Sequence, residues 1–226
     1  MKNTMRFSRA RLSLVLLTAL GGYALPSCST TPYYAMMEKF GVEKRDILVD
    51  RVAEAREDQT EAKEQFQTTL EAFKALTGFD GAELEDVYNK LSKELKRSES
   101  AASSVTSRIE SIEAVAEDMF SEWSQENEQY SDASLKRSSE QMLRDTRSQY
   151  GDLLNSMKNA ESKMEPVLQK FRDRVTFLKH NLNASAIGSL QNDLSAIEGD
   201  VQGLIREMQE SIDEADTFID SMNPEA

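Results

Sequence analysis

The stretch "ALPSCST", Ala24–Thr30, holds the only cysteine of the chain, Cys28, and "FLKHNLN" holds the only histidine, His180. One thiol and one imidazole cannot supply the three or four ligands of a zinc site. Phe177 and Thr176 stand three and four residues before His180, so the Glu-x-x-His unit of a di-metal carboxylate bundle is missing. No glycine-rich run ends in Gly-Lys-Ser or Gly-Lys-Thr to cradle phosphate. The acidic residues nowhere take the spacing of a calcium-binding EF-hand loop. The expectation is therefore no enzyme, no metal and no cofactor. His180 reads as a cation closing a helix, where an imidazolium suits the macrodipole, in preference to a ligand or base.

Cys28 belongs to different chemistry. Lys2, Arg6, Arg9 and Arg11 precede the apolar run Leu12–Leu25, and no acid occurs before Glu38. That run falls short of the ~20 residues that span a bilayer, and the whole reads as an export signal over residues 1–27. Leu25-Pro26-Ser27-Cys28 resembles a bacterial lipobox, where cleavage falls just before an acylated cysteine, although Pro26 is an uncommon middle residue there. The alternative is a plain signal peptide that leaves an unpaired thiol. Acylation removes that oddity, so Cys28 is expected to carry a palmitate-type lipid on a linker over residues 28–34. Ser29, where Asp would signal retention in the inner membrane, favours the outer membrane of a Gram-negative envelope, facing the periplasm.

The chain of 226 residues carries 27 Lys plus Arg against 40 Asp plus Glu, a net charge of −13. Removing the leader takes away four cations and no acid, so the remainder is more acidic still. Such a surface is repelled by nucleic acid and by anionic headgroups, which leaves the lipid to provide any membrane attachment. With one cysteine there is no internal disulfide, and the fold must rest on apolar burial.

The elements that do the burying are helices. The four prolines are Pro26, Pro32, Pro166 and Pro224, so most of the chain is free of them. Leu84, Tyr88, Leu91, Leu95, Ser98, Ala102, Val105, Ile109, Ile112, Ala116, Met119 and Trp123 recur at steps of four and three, a heptad seam and not the alternation of a strand. Leu48, Val52, Ala55, Gln59, Ala62, Phe66, Thr69, Phe73 and Leu76 make an earlier seam. After "QYSDAS", a third runs through Leu135, Met142, Tyr150, Leu153, Met157, Ala160, Met164, Val167, Phe171, Val175, Leu178 and Leu182. After "HNLNAS", a fourth runs from Ile187, Leu190 and Leu194 to Phe218 and Met222.

These seams predict an all-α protein of four helices over residues 35–77, 82–130, 133–182 and 184–222, with a tail at 223–226. Short turns make consecutive helices antiparallel neighbours, so the expected architecture is one elongated antiparallel four-helix bundle or coiled coil, the longer rods near ~70 Å. Two coiled-coil hairpins that splay or pair between chains would show the same heptads, and a homo-oligomer stays open.

Three local features stand out. Pro166 removes a hydrogen bond to the Ser162 carbonyl and predicts a kink or break in the third helix. Gly199 and Gly203 lie off the seam, where they could admit a second chain or simply weaken the helix. "SESAASSV", Ser98–Val105, puts small residues into the second seam and predicts a narrow section. Near the anchor, "TTPYYAMMEKFG" brings Tyr33, Tyr34, Met36, Met37 and Phe40 together, either at headgroup level or packed over the open end of the bundle.

Two stretches, "YYAMMEKFGVEKRDILVDRVAEAREDQTEAKEQFQ" and "RDRVTFLKHNLNASAIGSLQ", resemble the bacterial proteins grouped as domain of unknown function 2959. The resemblance covers nearly the whole chain after the leader. It implies a Gram-negative exported helical protein and transfers no catalytic residue. Some members carry a repair-ATPase-like label, against which the missing phosphate loop and the export signal both speak. The combined expectation is a non-enzymatic lipoprotein, anchored through Cys28, that spaces, scaffolds or binds protein partners. The alternative is a bundle that carries or senses a lipid-like molecule between its helices.

Overall fold

The computed structural model describes residues 43–78 and 84–222. Cys28, the leader, the aromatic segment at 33–40, residues 79–83 and the tail at 223–226 lie outside the described residues. Those described form five helices and no strand: α1 Lys44–Thr77, α2 Leu84–Asn127, α3 Ala133–His180, α4 Ala184–Gln191 and α5 Leu194–Met222. The protein is all-α, and its helices pack as a bundle.

Local chemistry sets the helix ends. Asp132 caps α3 by accepting from the backbone N–H of Ser134 at 2.7 Å and of Leu135 at 3.1 Å. Asn183 caps α4 by accepting from Ala186 N–H at 3.0 Å. Such side chains satisfy donors that the first turn cannot. Lys179 and His180 fill the last turn of α3, the end that favours cations.

The sequence predicts one helix over 184–222, and the structure divides it. The chain breaks between Gln191 and Leu194, at Asn192 and Asp193, two residue types that disfavour helix interiors, and the Asp193 N–H bonds back to the Leu190 carbonyl at 3.1 Å. Arg174 then holds the Asp193 carboxylate at 3.0 Å. Leu190 and Leu194 still face inward on either side, so the seam survives a break that its own spacing does not reveal.

All four seams meet in one core, the third from Leu153 onward. Leu48, Val52, Phe66, Phe73, Leu91, Ile109, Ile112, Val201, Leu204 and Phe218 are all buried. α1 packs on α2 and α5, α3 packs on the same two, and α4 rests on α1 and α3. Cross-helix ion pairs and one hydrogen bond give the register. Arg56, Lys63 and Lys74 of α1 meet Asp216, Gln209 and Glu198 of α5 in descending order. Lys163 and Lys170 of α3 meet Glu207 and Asp200 of α5, again in descending order.

The third seam departs from its expected course at the start. Leu135 and Met142 are 57 % and 58 % exposed, and Leu143 is buried in their place. The register explains why. Carried on from Lys163–Glu207, the last residue of α5 comes level with about residue 148 of α3, so the first turns of α3 have no α5 beside them. Pro166 does not break α3, which runs through it from Ala133 to His180. Both Pro166 and Ser162 are exposed, so water can serve the carbonyl that the proline leaves without its helical donor.

Candidate functional site

Four places in the bundle carry more than packing. The first is a polar network inside the α1–α2 seam. Thr69 and Ser98 are fully buried with their hydroxyls 2.8 Å apart. The Thr69 hydroxyl lies 3.1 Å from the Glu94 carbonyl, and Gln65 donates to the same carbonyl and to the Glu94 carboxylate, each at 3.2 Å. Ser98 also reaches the Gln65 carbonyl at 3.4 Å, a hydroxyl touching the backbone of the next helix. The small side chain is what lets α1 and α2 come so close. Arg97 closes the network on Glu94 at 3.0 Å. Burial pushes the Glu94 carboxyl up, but the hydrogen bonds from Gln65 and Arg97 and the Arg97 charge outweigh it and hold the pKa below its usual value. Glu94 is thus a fixed anion that locks two helices, and its oxygens are already occupied.

The second place is one of unsatisfied polarity. Gln59 and Ser211 are fully buried, and among the described residues neither the Gln59 amide nor the Ser211 hydroxyl has a hydrogen-bond partner. The flanking pairs Arg56–Asp216 and Lys63–Gln209 put the two residues at one level between α1 and α5. Each such orphaned group costs about 1–3 kcal/mol. Gln59 stands in the predicted seam, but only the surrounding core shows that it has no partner.

The third is the face of α5 that carries the two glycines. Pro166, Lys163 and Lys170 of α3 face Gly199 and Gly203 across an open groove of about 310 Å³. A Cβ on Gly199 would meet nothing within 4 Å, and one on Gly203 only the Arg206 guanidinium at 3.8 Å. The described contacts of the chain do not require glycine at either position.

The fourth is the end of the bundle at the α2–α3 turn. An open cleft of about 430 Å³ lies between Glu43 and Arg45 at the start of α1, Met119 and Trp123 of α2, and Met142 of α3. Trp123 donates to the Ser139 hydroxyl at 2.8 Å, which donates to the buried Asn127 amide oxygen at 2.6 Å. Phe120 packs edge-on to Tyr150 with centroids 5.4 Å apart, and the Arg147 guanidinium lies 5.2 Å over its ring. Burial, then the charges of Glu113 and Glu117, push the Tyr150 phenol up to about 12.

Of the residues singled out in the sequence, Cys28 lies outside the described residues. His180 is exposed at the end of α3. Among the described residues no group of three His, Cys, Asp or Glu side chains is placed to hold a metal ion, and no helix is long and apolar enough to cross a membrane. The Gln65–Thr69–Glu94–Ser98 network was not foreseen. Its one signal in the sequence is a pair of polar residues, Thr69 and Ser98, at seam positions of neighbouring helices.

The family model described as "Protein of unknown function (DUF2959)" matches residues 33–222. No curated protein and no solved structure matches the chain.

Proposed function

This chain belongs to the DUF2959 family of proteins of unknown function, and we propose that it is a non-enzymatic lipoprotein of the Gram-negative envelope. In this reading a fatty acyl group on Cys28 holds it to the membrane, facing the periplasm from the outer membrane. α1, α2, α3 and the α4–α5 pair form one elongated antiparallel four-helix bundle. The descending order of the pairs along α1 and α5, and along α3 and α5, supports that arrangement. The bundle works as a spacer or scaffold and meets protein partners through its helix faces.

One observation carries the reading: beyond the first turns of α3, the apolar stripes are spent on a continuous core, while the outward faces are charged and laced with cross-helix pairs such as Arg172–Glu99 at 2.6 Å and Arg108–Asp58 at 2.8 Å. A rod of this build resists bending and displays side chains without needing a reaction centre. Fractionation of cells making the wild type and Cys28→Ala, with an alkynyl fatty acid as metabolic label, tests the anchor. The wild type should pellet with membranes and take up label, and the variant should be soluble and unlabelled. An unlabelled wild type, or a variant that still pellets, contradicts the proposal.

A further inference from the structure

Tyr130, Leu135, Met142 and Phe177 are the large apolar side chains left exposed among the described residues, and the first three gather at the α2–α3 end. There the partly buried Trp123, together with Met119 and Met142, lines the open cleft, and Glu43 stands at its mouth. Leu135 and Met142 lie on the predicted seam of α3, the positions at which a neighbouring helix would cover them, and α5 stops short of both. The geometry points to the segment Tyr33–Val42 of this same chain as what covers the cleft.

Three considerations select that occupant. The chain enters at Glu43, so its preceding residues are delivered at the opening itself. From Met37 to Glu43 is six residues, at most ~20 Å extended and ~9 Å if helical, enough to reach Met142 on the same cleft. The chemistry also fits. Tyr33, Tyr34, Met36, Met37 and Phe40 offer flexible thioethers and flat rings to Met119, Trp123 and Met142, which line the cleft beside charged residues such as Lys44 and Glu122. Residues 223–226, Asn-Pro-Glu-Ala, offer no such side chains. Finally, the family match begins at residue 33, eleven residues before the helix that starts at Lys44, so the segment belongs with the folded unit and not with the leader.

Docking itself does not depend on a lipid, but its consequence for function rests on the anchor proposed at Cys28. Four residues lie between Cys28 and Tyr33, and the five steps span at most ~18 Å of chain. A docked segment would hold the α2–α3 end against the membrane and point the α4 end outward by about the length of α1, ~50 Å.

Disulfide trapping tests the docking in the full-length chain carrying Cys28→Ser, so that a missing lipid and a missing contact are read separately. The pair Met37→Cys/Met142→Cys should oxidise to an intramolecular crosslink. Met37→Cys/Ser104→Cys, on an exposed mid-bundle face, should stay reduced. Trp123, the only tryptophan, gives a second readout in the same background. Met37→Ser/Phe40→Ser should shift its emission to the red and raise acrylamide quenching at least twofold with helical circular dichroism retained. Crosslinking no greater than the control, or unchanged quenching, overturns the inference. So does a crosslink found only between two chains, which would make a second copy the occupant. A small molecule seen on the intact protein by native mass spectrometry and displaced from the cleft without effect of the segment variants would overturn it equally.

Discussion

The two ends of the bundle are finished in opposite ways. At one, α4 folds back over the core: Ala186, Ile187 and Leu190 are buried, and Gln191 donates to the Thr77 carbonyl at 2.7 Å. Phe73 and Phe171 meet edge-on beneath it with centroids 5.9 Å apart. At the other, α2 and α3 run on past the end of α5, and Met142 and Leu135 face water. Both ends carry an aromatic pair and a capped helix start, so local chemistry does not separate them. What separates them is whether a further element arrives to cover the seam. A closed end needs eight residues of helix and one tight break, and the open end is left with apolar surface to place.

That contrast can be broken at several strengths. The largest effect is expected at the closed end, where Phe171→Ala removes a fully buried ring and should cost about 3–5 kcal/mol in chemical denaturation. A loss under about 1 kcal/mol would mean that α4 does not seal this end. Between the ends, Gln59→Leu replaces an unpaired buried amide and should raise stability by about 1–3 kcal/mol, with the midpoint moving to higher denaturant at unchanged slope. The two caps sharpen the comparison. Asp132→Ala at the open end and Asn183→Ala at the closed end should each cost about 1 kcal/mol, because both remove the same kind of backbone bond. Markedly unequal losses would show that α4 is held by docking and not by its own start.

Titration addresses the two ends separately. Glu94, on the closed side of the middle, has its folded pKa held down. It therefore contributes stability that is present above its unfolded value of about 4.5 and is lost as pH falls through the lower folded value. Glu94→Gln should flatten the acid limb of the stability curve there. Tyr150, at the open end, is raised to about 12, so its contribution is full below pH ~10 and disappears as pH climbs toward 12. Tyr150→Phe should remove that alkaline loss, and the wild-type phenolate absorbance should show one late-ionising tyrosine. The smallest of these effects belongs to Met142→Ala, whose loss should exceed the roughly 0.5 kcal/mol ordinary for a side chain in water if the segment 33–42 covers it. A loss within about 0.5 kcal/mol would leave Met142 uncovered and count against the docking.

Much of the fold was legible because a heptad seam states which face of a helix goes inside. Phe66 and Phe73 in α1, Ile109 and Ile112 in α2, and Val201 and Leu204 in α5 are buried where the spacing placed them. The break at Asn192–Asp193 was not legible, because Leu190 and Leu194 keep the four-residue step across it. Leu135 and Met142 have the right period and the wrong environment, since periodicity names a face and says nothing of whether a neighbour is long enough to cover it. The Glu94 network was hidden for a similar reason. Glu94 is off its own seam, and only the close approach allowed by Ser98 brings Gln65 and Thr69 of α1 onto it.

By itself the sequence determined that this chain is helical, where its core stripes lie and that its exterior is acidic, since each follows from residue type and spacing along one chain. Tertiary structure alone decided how far each helix reaches past its neighbour, and with it which apolar residues end in water and which polar ones end without partners. The physical reason is that burial belongs to two surfaces at once, and a period read along one helix cannot report where the other stops.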